Sequence, residues 1–332
     1  MSVNQACFPI GNLRDHSVEF MPPITMATSL QNSLGIESPV IVRPTARPEL
    51  PLQPPVDSPS QENLDALEHA LQLENDPATY IPAFRRCNIW GVSLDCATMV
   101  QAVEWIDWVI EHRATTYAIT ANLNYLMLCH KHPRLKEFTQ DCPLVLCDGK
   151  PLQWRSMLEK NKLPERVAGS DLIFKLAELS AAQGYGIYLL GGADGVAKKA
   201  ADKLKEMYPS LKISGVYSPP FRDWTAADKY DMNRRIKNAN PDILLVAFGQ
   251  PKGEYWIEEN YRELNVPISI QLGASFDFIA GLAKRAPKPM QFIGCEWFYR
   301  MLHDPRRLVP RYFSNAVFLL KAIRRELLQK LA

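Results

Sequence analysis

No run of 18 or more apolar residues occurs anywhere in the 332-residue chain, which excludes a helix built to cross a bilayer. Nor is there a C-x-x-C. The seven cysteines (Cys7, Cys87, Cys96, Cys129, Cys142, Cys147 and Cys295) are odd in number and scattered, and several sit in apolar runs. They read as small core residues of a protein in a reducing compartment rather than as a disulfide framework. Met1–Phe20 lacks a basic stretch followed by an apolar run, so a secretory signal is not expected. The six histidines show no ligand spacing beyond His130-x-His132, and there is no D-x-D pair to hold a divalent cation against a diphosphate. No metal site is therefore expected. A G-x-G-x-x-G fingerprint and an acidic residue closing the following strand are also missing, which disfavours a dinucleotide dehydrogenase. No internal repeat is visible.

The net charge of +2 hides an uneven distribution. Residues 1–80 carry three Arg against ten Asp/Glu, a net −7, while residues 287–332 carry nine Lys/Arg against three Asp/Glu, a net +6. Prolines crowd the acidic stretch, with Pro22-Pro23 and Pro54-Pro55, and few apolar positions there repeat at a useful period. Residues 1–80 are expected to be a largely disordered extension, with one short amphipathic helix over Ser60–Glu74.

From Arg85 onward the texture is that of alternating strands and helices. Cys87–Leu94 reads as a strand pair, Thr98–His112 has helical spacing, and Thr116–Thr120 is a buried strand leading through Asn122 into a helix. Pro133 restarts a turn, and Leu144–Cys147 is the next strand. Gly169-Ser170-Asp171 is expected to cap a helix that Gly184 ends. Gly186–Leu190, Leu211–Tyr217, Asp242–Phe248 and Ile268–Leu272 complete the strands, with helices over Val196–Met207, Asp223–Ala239 and after Gly249–Glu254. The alternation predicts an α/β fold over residues 86–286: a Rossmann-like, mostly parallel sheet with helices on both faces.

Polar residues gather where these strands end. Asp148-Gly149 terminates the apolar Leu144–Cys147, and a carboxylate there lies where open α/β sheets place their ligand crevice. Read alone, Asp148 is better explained as a turn residue capping the next helix. Thr120, Asn122, Gln250–Glu254 and Ser275–Asp277 hold equivalent positions, and together they suggest one crevice fed by several loops. Gly191-Gly192-x-x-Gly195, between a strand and a helix, has the form of a phosphate cradle suited to a nucleotide diphosphate. Without a metal, charge on a leaving group would have to be met by Arg and backbone amides. Residues 287–332 form a basic appendage in which Phe292, Trp297, Phe298, Tyr312, Phe313 and Phe318 interleave with Arg, and Pro305 and Pro310 are expected to break it into short helices. Either it lies on an anionic membrane surface or it caps the sheet. Its helical spacing suits nucleic acid poorly.

The ordered motifs Thr120-Ala-Asn122, Cys147-Asp-Gly149, Arg166-Val-Ala-Gly-Ser-Asp171, Leu189-Leu-Gly-Gly192, Gly249-Gln-Pro-Lys-Gly-Glu254, Gly273-Ala-Ser-Phe-Asp277, Lys284-Arg-Ala-Pro287, Glu296-Trp297, Tyr299-Arg300 and Pro305-Arg-Arg307 with Arg311 resemble the WecG/TagA/CpsF glycosyltransferases, family 26, over roughly residues 86–325. The resemblance implies inverting, metal-independent transfer from a UDP-sugar to a polyprenyl-diphosphate-linked sugar in cell-surface polysaccharide synthesis, at the inner face of the cell membrane. It implies Asp148 as general base, with Thr120 and Asn122 in the same pocket. Arg166, Gly191, Gly192, Gln250, Lys252, Glu254 and Asp277 are the implied substrate contacts. Arg300, Arg307 and Arg311, brought over the site by a membrane-docked appendage, would stabilise UDP or the lipid diphosphate. It also implies self-association. The family loop reads G-x-P-K-Q-E, whereas this chain has Gly253 before the Glu, and Gln250 is the candidate substitute. A non-catalytic nucleotide-sugar-binding or scaffold protein on the same fold is the alternative that Gly253 leaves open.

Overall fold

The computed structural model describes residues 81–283, 286–287, 290 and 296–331. The Pro-rich extension, the helix expected over Ser60–Glu74, and Cys7 and Cys295 lie outside these residues. An antiparallel hairpin comes first, β1 (Arg86–Ile89) with β2 (Val92–Asp95). The other strands are β3 (Thr116–Ala121), β4 (Leu144–Cys147), β5 (Gly186–Gly191), β6 (Lys212–Tyr217), β7 (Ile243–Ala247) and β8 (Ile268–Gln271). They form one sheet in the order β4-β3-β8-β7-β5-β6, and every neighbouring pair is parallel. The expected α/β fold is present.

Between the strands run α1 (Met99–Glu111), α2 (Leu123–Lys131), α3 (Pro133–Gln140), α4 (Lys150–Ser156), α5 (Gly169–Gln183), α6 (Val196–Met207), α7 (Ala226–Ala239), α8 (Lys252–Leu264) and α9 (Ser275–Ile279). α10 (Glu296–His303) and α11 (Pro305–Leu331) follow. The two faces of the sheet carry separate cores. One packs α1, α5, α6 and α9 around Trp105, Leu172, Leu204 and Phe276; the other packs the hairpin, α2, α3, α7 and α8 around Ile89, Tyr125, Ile236 and Trp256. Strands covered on both sides are mostly apolar, and β3, β4, β5 and β8 are buried from end to end, with Thr116, Thr120, Ser269 and Gln271 as buried polar exceptions. A fully buried Leu- or Phe-sized side chain contributes about 1.5–3 kcal/mol relative to exposure. The cysteines behave as expected: Cys87, Cys129, Cys142 and Cys147 are buried, and with the half-buried Cys96 all five are free thiols.

The hairpin protects the edge strand β4. The Asp95 carboxylate accepts from Val145 N–H at 2.6 Å and pairs with Arg86 at 3.0 Å, so the outer rim of the sheet is occupied. Burial pushes the Asp95 carboxyl up to about 6, against the opposing pull of Arg86.

Three local expectations change. Pro133 opens the helix α3 rather than a turn, because a first-turn position needs no N–H. Gly169-Ser170-Asp171 form the first turn of α5 and do not cap it; the cap position is Ala168, without a side-chain bond. Pro310 lies inside the 27-residue α11 and does not break it. Its ring removes one bond, to the Arg306 carbonyl, and the flanking turns carry the helix on.

Candidate active site

The carboxyl ends of the strands open into a cavity of about 1640 Å³. Its wall brings together Thr120, Asn122, Asp148, Arg166, Gly192, Gln250, Lys252, Asp277, Arg300, Arg307 and Arg311. Of the residues singled out from sequence, Gly191 and Glu254 do not line it.

Asp148 stands directly after β4. Its own N–H donates to the Ala121 carbonyl at 2.7 Å, which continues the β3–β4 ladder one step beyond the strand. Its carboxylate accepts from Gly169 N–H at the amino end of α5, where the helix dipole favours an anion. Although the residue keeps surface on the cavity, the carboxyl sits at the enclosed floor. Desolvation there pushes it up to about 7 from an ordinary 3.8, with Arg166 and Arg300 pulling it down and Glu296 adding to the rise. A carboxylate held near neutrality in a crevice is the state a general base requires.

Thr120 and Asn122 flank it. Thr120 is buried at the end of β3, and its hydroxyl donates to the Gln271 carbonyl at 3.1 Å. Asn122 caps α2, its Oδ1 accepting from Tyr125 N–H at 3.1 Å. Arg166 is mostly buried and reaches both Glu296 of α10, at 3.2 Å, and Asp171 of α5, at 3.5 Å. It therefore joins the sheet side of the cavity to the appendage.

The glycine turn after β5 has a packing reason of its own. Gly191 adopts φ 109°, and a Cβ there would stand 2.7 Å from the Ala247 carbonyl oxygen. Gly192 N–H is bonded to that oxygen at 3.0 Å, so it is not free for a phosphate; Gly192 and Ala193 still line the cavity.

The loop after β7 is committed internally. Gln250 Oε1 accepts from Asn124 Nδ2 at 3.1 Å, and its side chain also bonds the Glu254 carboxyl. Burial pushes Glu254 up to about 8, and its Oε2 has no protein partner. Gln250 is thus used within the loop. The side chain nearest Gly253 is Gln271, at the end of β8, which the sequence reading passed over. The available signal was an amide at the carboxyl end of the expected strand Ile268–Leu272, whose other polar residue is Ser269. Lys252 lies over the Trp224 ring at 3.7 Å, a cation–π contact.

The appendage adds Arg300, Arg307 and Arg311 to the cations of the cavity wall. Arg300 packs over the Phe278 ring at 4.9 Å, Arg307 pairs with Asp304 at 2.6 Å, and both pull down Asp277, whose carboxyl is raised overall by burial. α11 also docks on the core: Phe318 meets Trp90 edge-on at 6.0 Å, and Glu326 bonds Arg155 at 2.9 Å. Along the same helix Val309, Phe313, Leu320, Ile323 and Leu327 form a second stripe, at helical spacing, that is exposed. No helix among the described residues is long and apolar enough to cross a membrane. Among them, too, no group of three or more His, Cys, Asp or Glu is placed to hold a metal ion.

Residues 87–332 match the model of the "Glycosyl transferase WecG/TagA/CpsF family". The chain is similar to two proteins named N-acetylglucosaminyldiphosphoundecaprenol N-acetyl-beta-D-mannosaminyltransferase. One, from Bacillus subtilis (strain 168), is 36% identical over 174 residues, covering 51% of this chain and 66% of the relative. The other, from Staphylococcus aureus (strain MW2), is 26% identical over 238 residues, covering 71% of this chain and 91% of the relative. The match spans the sheet, the cavity and the appendage alike, and the chain is a glycosyltransferase belonging to the WecG/TagA/CpsF family.

Proposed function

We propose that the protein transfers a sugar, with inversion, from a UDP-sugar to a polyprenyl-diphosphate-linked sugar in cell-surface polysaccharide synthesis. The observation that carries this reading is the placement of Asp148 and the arginines of α10 and α11 on the wall of one cavity. Asp148 takes the proton of the acceptor hydroxyl as its oxygen forms the bond to the anomeric carbon. The bond from that carbon to the UDP oxygen breaks, and UDP leaves with the electron pair. Arg300, Arg307 and Arg311 meet the charge that develops on the leaving diphosphate, a role that needs no metal. Direct displacement inverts the anomeric centre. The exposed apolar stripe, with Arg306 and Arg324 at neighbouring helical positions, supports peripheral docking of α11 on an anionic membrane, where a lipid-linked acceptor resides. The relatives' names put N-acetylmannosamine first among the sugars to test, and a lipid diphosphate-linked N-acetylglucosamine first among the acceptors.

The test is UDP release from a panel of UDP-sugars, with and without a short-chain polyprenyl-diphosphate-N-acetylglucosamine, in the presence and absence of EDTA. Acceptor-dependent release, unchanged by EDTA, is the expected outcome. Release only when a divalent cation is added would overturn the metal-independent part. UDP-sugar binding with no release under any condition would favour the non-catalytic alternative.

A further inference from the structure

Gly253 is the second residue of α8, and its backbone is helical rather than left-handed. Glycine in a helix is unfavourable relative to alanine, and nothing in the backbone geometry here requires it. What it provides is room. A Cβ on residue 253 would stand 2.6 Å from Gln271 Cγ and 3.0 Å from Gln271 Nε2. The Gln271 side chain therefore occupies the space that any larger residue at 253 would fill.

Gln271 is 1% exposed and yet borders the cavity. Its Oε1 accepts from Gly273 N–H at 2.7 Å, which fixes the orientation of the amide and leaves Nε2, on the side of Gly253, as the uncommitted donor. That Nε2 is buried and has no protein partner. An amide donor left unpaired in a buried position is costly unless something else accepts from it. The neighbouring amide cannot serve the same purpose, because Gln250 is bonded to Asn124 and Glu254.

The position of Gln271 indicates what it would meet. Residue 271 pairs with Ile119 of β3, its carbonyl holds the Thr120 hydroxyl, and β3 in turn borders β4, which ends in Asp148. Two strand spacings, about 10 Å, separate Gln271 from the base. A sugar whose anomeric carbon is within reach of an acceptor hydroxyl held by Asp148 extends over that distance. We infer that Gln271 is a specificity-determining residue whose Nε2 donates to an oxygen of the transferred sugar, and that glycine at position 253 leaves this amide its place. The inference rests on the UDP-sugar reading above.

Calorimetric titration without acceptor, using UDP and a set of UDP-hexoses and UDP-N-acetylhexosamines, tests it. Gln271→Met keeps the volume and removes the donor. It should weaken binding of the favoured UDP-sugar about ten- to a hundredfold while leaving UDP affinity unchanged, so that the variant discriminates less among donors. Gly253→Ala, which pushes the amide aside, should give the same pattern. Equal affinity of wild type and Gln271→Met for every UDP-sugar would overturn the inference. So would a parallel loss of UDP affinity, which would mark a packing role. Binding is read without turnover, so a failure of acceptor-dependent UDP release would sink the transferase reading without being mistaken for a failure here.

Discussion

The two walls of the cavity differ in how firmly they are held. On the sheet side, Asp148 follows a strand buried at every position, continues its ladder through Ala121, and touches the first turn of α5. On the other side, α10 has no buried residue, and α11 is anchored at a few points, chiefly Leu308, Phe318 and Glu326, while its apolar stripe is exposed, with Ile323 and Leu327 on the cavity and Val309, Phe313 and Leu320 away from it. The sheet therefore contributes a base of fixed position. The appendage contributes charge on an element whose attachment is partial. Two ion pairs couple the walls, Arg155–Glu326 and Arg166–Glu296, and the second is the one that acts on Asp148. In a protein built this way, changes on the sheet side should affect chemistry, and changes on the helical side should affect delivery of substrate and tuning.

The largest effect should come from Asp148→Asn, with kcat for acceptor-dependent UDP release falling about 10²- to 10⁴-fold and UDP-sugar affinity nearly unchanged. An equal loss of donor affinity would show that Asp148 binds rather than catalyses. Next, Phe313→Glu with Leu320→Glu should abolish co-sedimentation with anionic vesicles without changing the far-UV spectrum, since both side chains are exposed. Retained sedimentation would reduce the appendage to a cap.

The Arg166–Glu296 pair gives a finer contrast in pH dependence. Activity should rise with pH through about 7 as Asp148 ionises. Arg166→Gln removes a cation that favours the ionised form and should move that limb to higher pH; Glu296→Gln removes an opposing anion and should move it lower. Shifts in the same direction would break the assignment of the limb to Asp148. The smallest effect concerns stability. The Glu254 carboxyl ordinarily titrates at 4.5 and is raised to about 8, so the folded chain holds its proton more tightly than the unfolded chain. That contribution is complete below pH 4.5 and is lost as pH rises through 8. The melting temperature of Glu254→Gln should accordingly fall less than that of the wild type between pH 6 and 9.

Much of the fold was legible because its signals are local. Apolar runs such as Leu144–Cys147, ended by Asp148-Gly149, mark strands and their crevice end regardless of what packs on them. Motif order then placed Asp148, Thr120 and Arg166 within one site. Pro310 misled because the rule that proline ends a helix weighs one lost bond without the turns on either side. Gln250 was chosen to replace a missing side chain because it lies three residues away in the chain, and chain distance is a poor guide where two strands and a loop converge.

By itself, the sequence determined the alternation of strands and helices, the carboxylate at the end of a buried strand, and the basic, aromatic character of the final helices. These follow from side-chain chemistry read along the chain. Only the tertiary structure decided that Arg166 reaches Glu296 across 130 positions, that burial brings Asp148 near neutrality, and that Gln271 fills the space above Gly253. Each depends on which groups exclude water from one another, and that is fixed when the sheet closes its two faces and the appendage folds back over its open end.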